Sequence, residues 1–253
     1  MVSDKVSVVI PSYNSARYIR ESVGSVISQD YQNVEVVVVD DSSSDSSCEI
    51  IEEMASRDHR IVLLKLDVRS GAAIARNKGI EFSTGRYIAF LDADDIWLPG
   101  KLTAQMQAMQ DAGAALSCTA ARIINEHGEY VGFRSIPAEI TFSLLLKKTP
   151  IINSSAIYDT RMLGKVKMPD VIRRQDFGLW IEIIRRSGPA LGLIKPFVSY
   201  RVHSESLSRN KFISAWYTWK VLRMAGRLSM VKSLYYFSFY ALGGVLGRIR
   251  GIN

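Results

Sequence analysis

Cysteine is almost missing from this 253-residue chain: Cys48 and Cys118 are the only two, and they have no CxxC spacing. That excludes a disulfide framework or a metal cage and leaves two reduced thiols that behave as small buried hydrophobes. Long apolar runs are missing as well. The longest uncharged stretch, residues 233–247, has 15 residues, short of the roughly 20 that a membrane-spanning helix needs. The amino terminus, MVSDKVSVVIPSYN, lacks the basic region, apolar core and small-residue cleavage site of a secretory signal, which predicts a chain that stays in the cytosol. No glycine-rich turn follows the first apolar run, where PSYNSARY stands. Neither the dinucleotide fingerprint nor the GxxxxGK(S/T) phosphate loop is therefore present, which argues against a nicotinamide oxidoreductase and a P-loop ATPase.

Negative charge is absent beyond Glu205, where eight basic residues stand: Arg209, Lys211, Lys220, Arg223, Arg227, Lys232, Arg248 and Arg250. The formal net charge of +7 is thus local to the tail, because residues 1–205 hold 24 basic against 25 acidic residues. Such a tail addresses nucleic acid, an anionic membrane or a phosphorylated ligand.

What the chain does contain is a hydrophobic content of 47% and a charged content of 23%, enough apolar surface for a sizeable core in one large domain or two small ones. Short β-branched runs at 6–10, 34–39, 61–66 and 87–91 read as buried strands, and the intervening stretches 16–29, 48–57 and 72–82 as helices. This βαβα order predicts an α/β fold with a mostly parallel sheet covered on both faces. A hairpin is expected from 114–124 and 130–133, then a short helix at 142–148, a strand at 151–158, and a basic loop at 161–174. A helix at 176–186, a strand at 197–202 and a helical aromatic tail follow.

Polar clusters sit at the ends of three of these runs: Pro11-Ser12-Tyr13-Asn14, Asp40-Asp41, and Asp92-Ala93-Asp94-Asp95. In open parallel sheets ligands bind outside the carboxyl ends of the strands, so one crevice can collect all three. Capping of the following helices is the plainer explanation for Asp40 and Asp41. Three carboxylates within four residues repel one another, and a hard divalent cation relieves this while taking its remaining ligands from substrate phosphates. A haloacid-dehalogenase-type phosphatase would also use an apolar run followed by Asp-x-Asp, but it leaves Asp40-Asp41 and Arg76-Asn77 without a role.

Seven segments taken in order resemble glycosyltransferase family 2, the inverting enzymes of GT-A fold, of the bacterial polysaccharide and O-antigen type. They are VSVVIPSYN (6–14), VVVVDDSSSDSS (36–47), SGAAIARNKGI (70–80), GRYIAFLDADD (85–95), PGKL (99–102), RQDFGLW (174–180) and YRVHSESLS (200–208). The resemblance implies a GT-A catalytic domain over 1–208, with a nucleotide-binding half to about 110 and an acceptor-binding half beyond, followed by the tail at 209–253. It implies Mn²⁺ or Mg²⁺ as cofactor, a nucleotide-sugar donor, with a uridine diphosphate sugar expected, and a saccharide or lipid-linked acceptor.

By the same resemblance, Pro11, Tyr13, Asp40 and Asp41 line or support the nucleoside pocket, and Asp67 and Arg76 complete the base and diphosphate surroundings. Asp92 faces the ribose, and Asp94 the metal, with Asp92 and His203 as further metal ligands. Asp176 is the general base, preceded by Gln175 where the family usually has Glu. Trp180, Gln175, Arg201 and Asp95 support acceptor or leaving group. Each has a plainer alternative: a packed rim for Tyr13, a surface ion pair for Arg76, a helix N-cap for Asp176, core packing for Trp180. A catalytically inactive nucleotide-sugar- or membrane-binding relative is the alternative to an enzyme. No Gln-x-x-Arg-Trp segment is present, so one sugar per visit is expected.

In the tail, Trp216, Lys220, Arg223 and Arg227 are spaced to share one helical face, and Tyr235, Tyr236, Phe237, Phe239 and Tyr240 follow. Aromatics interleaved with cations suit peripheral attachment to the inner face of the cell membrane. A domain-covering helix with snorkelling cations is the alternative. Nucleic acid is not an expected partner, since no nucleic-acid fold motif accompanies the charge.

Overall fold

The computed structural model describes residues 4–203 and 211–249. Its first half runs β1 (Val6–Ser12), α1 (Ile19–Ile27), β2 (Val34–Asp40), α2 (Ser47–Arg57), β3 (Ile61–Lys65), α3 (Ala72–Phe82) and β4 (Tyr87–Phe90). β1 and β2 are buried along almost their whole length, as their near-continuous valine runs require of central strands. A short β5 (Ile96–Trp97) and α4 (Lys101–Ala112) come next. The sequence reading passes over both. α4 starts and stops on two glycines in the left-handed region, Gly100 (φ 78°) and Gly113 (φ 59°), and buries Leu102, Met106 and Met109 along one face.

The second half runs β6 (Leu116–Ile124), β7 (Tyr130–Arg134), β8 (Glu139–Ile140), α5 (Phe142–Lys148), a 3₁₀ turn (Asn153–Ser155), β9 (Ile157–Asp159), α6 (Thr160–Leu163), α7 (Gln175–Ser187) and β10 (Ala190–Arg201). All ten strands of the described residues join one sheet, whose main path is β3-β2-β1-β4-β9-β6-β10-β5. It is parallel from β3 through β4, turns antiparallel at β9, and is parallel again between β6 and β10. The expected hairpin is the antiparallel β6–β7 pair.

Several expected elements differ: β10 begins at Ala190 where the strand is expected from 197, and α6 (Thr160–Leu163) runs into the loop expected at 161–174. Residues 151–158 are not a continuous strand, because Asn153, Ser154 and Ser155 turn the backbone into a 3₁₀ turn before β9. The polar triplet in an otherwise apolar run is the physical reason.

The tail forms α8 (Lys211–Met224) and α9 (Met230–Ile249). Residues 204–210, which include the end of the YRVHSESLS segment and Arg209, lie outside the described residues. Among the described residues no helix is long and apolar enough to cross a membrane. Arg227 does not share a helical face with Trp216, Lys220 and Arg223: α8 ends at Met224, and Arg227 lies in the following turn with φ 48°.

Candidate functional site

The loops after β1 and β2 are knitted together. Asn14 receives a hydrogen bond from the Ser44 amide at 2.9 Å and gives its own amide to Ser43 Oγ at 2.9 Å. Asp40 is buried and accepts from the Ser43 amide at 2.8 Å and Ser43 Oγ at 2.5 Å, so its carboxylate shapes the loop. Asp41, also buried, accepts from the amides of Ser70 at 2.6 Å and Gly71 at 2.8 Å and so fixes the entry to α3. Tyr13 is half-exposed at the rim, with the Arg69 guanidinium 4.1 Å from its ring centroid. Pro11 lies in β1 beside Val39, and Asp67 is exposed in the loop after β3.

At the end of β4 the three carboxylates take three different environments. Asp92 Oδ1 accepts from Arg76 Nη2 at 2.6 Å and from Asn153 Nδ2 at 3.1 Å. Asp94 Oδ2 lies 2.7 Å from His203 Nε2. Burial and the neighbouring Asp92 push the Asp94 carboxyl above its ordinary range, and His203 opposes them. Asp95 is sequestered, meeting Ser154 Oγ at 2.5 Å and the Arg201 amide at 2.8 Å; burial and the other two carboxylates hold its carboxyl well above the usual range. It buckles β10 to this loop and does not reach the open space.

The Arg201 guanidinium is likewise committed. It donates to the Asp94 carbonyl at 2.8 Å and the Asn125 carbonyl at 3.3 Å, pairs with Glu21 at 2.9 Å, and lies 4.6 Å from the Tyr18 ring centroid. It thereby orients the Asp94 loop, while His203 stands 5.6 Å from Tyr18, ring centroid to ring centroid.

A cavity of about 400 Å³ opens beside Asp92, and Asp176, Gln175, Trp180 and Tyr200 line it with Asp92. Asp176 is not the helix N-cap. Arg174 holds that position with φ 64°, α7 begins at Gln175, and Asp176 sits in its first turn. Among the described residues the non-glycine positions with positive φ are Asn14, Ser42, Thr149, Arg174 and Arg227; the first two belong to the β1 and β2 loops, and Thr149 and Arg174 to the cavity wall. Backbone strain of this kind concentrates where a site imposes geometry. Trp180 is both core and lining: it is buried, edge-on to Phe90 at 5.7 Å, and its indole N–H has no hydrogen-bond partner among the described residues.

Two cavity residues escape the sequence reading. Arg134 comes from β7 and gives Nη2 to the Thr149 carbonyl at 3.0 Å. Burial pushes its guanidinium below its ordinary value, Tyr200 and Asp176 oppose this, and Arg174 adds to it. Burial, with the Asp95 and Asp92 charges, pushes the Tyr200 phenol up to about 12, so it is a protonated donor at neutral pH. Asn153 and Ser154, which hold Asp92 and Asp95, are not singled out in the sequence either, where the polar triplet within an apolar run is the signal that points to them.

The model of glycosyl transferase family 2 matches residues 7–167. The chain belongs to that family. It is 36% identical over 245 residues to TuaG of Bacillus subtilis, a protein named for teichuronic acid biosynthesis, covering 96% of this chain and 97% of that one. It is 33% identical over 241 residues to the Escherichia coli UDP-Glc:alpha-D-GlcNAc-diphosphoundecaprenol beta-1,3-glucosyltransferase WfaP, covering 95% and 94%. Among solved structures it resembles Staphylococcus aureus TarS (residues 1–349) in complex with UDP-GlcNAc, with a TM-score of 0.77 at 21% identity over 98% of this chain and 74% of that one. It also resembles a Pyrobaculum calidifontis mannosyltransferase in complex with GDP-Man and Mn²⁺, with a TM-score of 0.62 at 17% identity over 96% and 75%. At those identities the likeness shows the GT-A fold. The family member is thus a glycosyltransferase of bacterial polysaccharide biosynthesis.

Proposed function

We propose that this glycosyltransferase moves one sugar per visit, with inversion, from a uridine diphosphate sugar to a lipid-linked saccharide. The observation that carries the reading is that Asp176 and Asp92 line one cavity. The donor and acceptor classes are those named for WfaP.

Asp176 takes the proton of an acceptor hydroxyl as that oxygen bonds to the anomeric carbon. The bond from the anomeric carbon to the phosphate oxygen breaks, and the nucleoside diphosphate leaves with the electron pair. Tyr13 and Arg69 flank the nucleobase, and Asp41 keeps the Ser70-Gly71 turn in place beneath it. Arg76 holds Asp92 at the ribose side.

A divalent cation suits Asp94 and His203, an oxygen and a nitrogen ligand that meet directly at 2.7 Å and would both turn to the cation on binding. Among the described residues no group of three His, Cys, Asp or Glu side chains is arranged to hold a metal, so donor phosphates complete the coordination, as is usual for Mg²⁺. When bound, the cation supplies charge neutralisation to the departing diphosphate. The exposed aromatic and basic side chains of α8 and α9 support peripheral attachment at the inner face of the membrane that carries the acceptor.

The test is a thermal-shift screen of uridine, guanosine and thymidine diphosphate sugars with and without Mn²⁺, since a ligand of the folded state raises its apparent stability. A uridine nucleotide is expected to give the largest shift. Asp176→Asn is expected to keep that shift and lose transfer by a factor of about 10² or more. Full transfer by this variant removes Asp176 as the base.

A further inference from the structure

The PGKL segment leads into α4 and takes no part in the chemistry above, yet its lysine sits where a charge is least welcome. Lys101 is fully buried, and burial pushes its ammonium well below the ordinary lysine range, with Cys118 opposing. Its Nζ donates to Gln105 Oε1 at 2.6 Å, one turn along the helix, and lies 4.0 Å from the Trp97 ring centroid. Gln105 is also fully buried and its amide donates twice, from Nε2 to Ser117 Oγ at 2.9 Å and to the Ser155 carbonyl at 3.1 Å. Trp97 of β5 gives its indole N–H to the neighbouring Ser154 carbonyl at 2.7 Å.

Two successive carbonyls of the 3₁₀ turn are thus held by side chains of β5 and α4. The side chains of that turn hold the carboxylates at the end of β4. Asn153 Nδ2 donates to Asp92 Oδ1 at 3.1 Å, and Ser154 Oγ meets Asp95 at 2.5 Å and accepts from the Asp92 amide at 3.0 Å. The Gln105 amide has one workable orientation: the Ser155 carbonyl can only accept, so Nε2 must face the turn and Oε1 is left for the Lys101 amine. Burying an amine whose hydrogen-bond partner is a neutral amide costs desolvation, and apolar side chains of similar size would fill the space without that cost. What the polar set supplies is fixed geometry, because buried networks whose members are bonded rigidify their surroundings.

We infer that Trp97 and Gln105, with Lys101 behind them, are positioning residues for Asn153 and Ser154 and so for the Asp92 carboxylate, making nucleotide binding depend on a core network that touches no substrate. The inference rests on the reading of Asp92 and Asp94 as the donor side. A role in folding alone gives a different pattern: variants lose stability, and the molecules that remain folded bind the nucleotide as before.

Titration calorimetry of UDP with saturating Mn²⁺ on the full chain, at a temperature where each variant is folded, separates the two. Gln105→Glu keeps the side-chain volume and an acceptor for Lys101, but turns a carboxylate oxygen to the Ser155 carbonyl in place of the donor. Trp97→Phe removes the donor to Ser154 and keeps an aromatic ring beside Lys101. Each is expected to weaken UDP about tenfold, the lower end of what losing an outer partner costs a site. Met109→Ala takes apolar contacts from the same helix, and its side chain makes none of these hydrogen bonds. It is expected to lower the denaturation midpoint and leave UDP binding unchanged. Wild-type affinity in both Gln105→Glu and Trp97→Phe overturns the inference, and so does an equal weakening in Met109→Ala. If Gln105→Glu does not fold, Trp97→Phe decides alone. If the wild-type chain binds another nucleotide of the screen instead of UDP, the proposed donor is wrong and the same comparison made with that nucleotide still decides the network. Binding of no nucleotide removes the donor site, and the inference falls with it.

Discussion

Asp92, Asp94 and Asp95 are neighbours in sequence and have three separate roles in space: one is neutralised by Arg76, one faces His203 and one is locked inside. Their crowding was legible from the sequence, because three carboxylates in four residues need compensation wherever the chain places them. Their division of labour was not. Arg76 reaches Asp92 because α3 packs on β1 and β2, with β4 the next strand beside β1, and Arg201 reaches the Asp94 carbonyl across 107 positions of sequence. If Asp94 and His203 hold the cation, Asp94→Asn is expected to abolish most of the Mn²⁺-dependent part of the UDP thermal shift, and His203→Ala to reduce it. Arg76→Ala should leave the Mn²⁺ increment in place while weakening UDP itself. A Mn²⁺ increment unchanged in Asp94→Asn would take the metal away from this pair.

Helices and strands were legible where periodicity had enough residues to show itself. α1, α2, α3 and α7 and the first four strands fall where apolar spacing put them, within a few residues. The missed strands share a physical cause, whereas the 12-residue α4 is a separate miss, its buried Leu102, Met106 and Met109 interleaved with buried Lys101 and Gln105. β5 and β8 have two residues each, too few for any alternation, and they exist only because β10 pairs with them. Close packing between elements also depended on positions that composition does not reveal. Gly79 in α3 faces Val9 of β1 so closely that an added Cβ would stand 2.4 Å from Val9 Cγ1. Val9 is fully buried in a central strand and cannot give way. Gly79→Ala is therefore expected to destabilise the fold by about 1–3 kcal/mol, the usual cost of overpacking, despite alanine's better helix propensity. Chemical denaturation reads this directly, and a gain in stability would show that α3 can lift from the sheet. Since α3 carries Arg76, the same variant should also weaken UDP.

At the scale of the whole molecule, the position of the tail links the surface to the cavity. α9 packs against α5, whose Leu145 lines the cavity. Lys147 of α5 lies 4.9 Å from the Phe239 ring centroid and 5.8 Å from that of Tyr235. Part of the tail therefore covers the domain, as the alternative reading of its sequence had it: Val221, Leu222 and Ser233 are buried. The remainder faces outward with Trp216, Val231, Leu234 and Tyr235 exposed beside Lys220, Arg223 and Lys232, and no carboxylate follows Glu205. A folded domain gains nothing by leaving these apolar groups in water, whereas a bilayer interface buries them and attracts the cations at about 1 kcal/mol each. Sedimentation with phosphatidylglycerol vesicles is expected to carry the protein down at low salt. Reversal of Lys220 and Lys232 to Glu is expected to reduce that binding by about tenfold or more, and phosphatidylcholine vesicles should retain little. The donor-side thermal shift should be untouched by the reversal, because neither lysine touches the cavity. Equal binding to neutral and anionic vesicles would leave the aromatics as the whole of the attraction, and no binding to either would make the exposed face of α8 and α9 a surface for another protein.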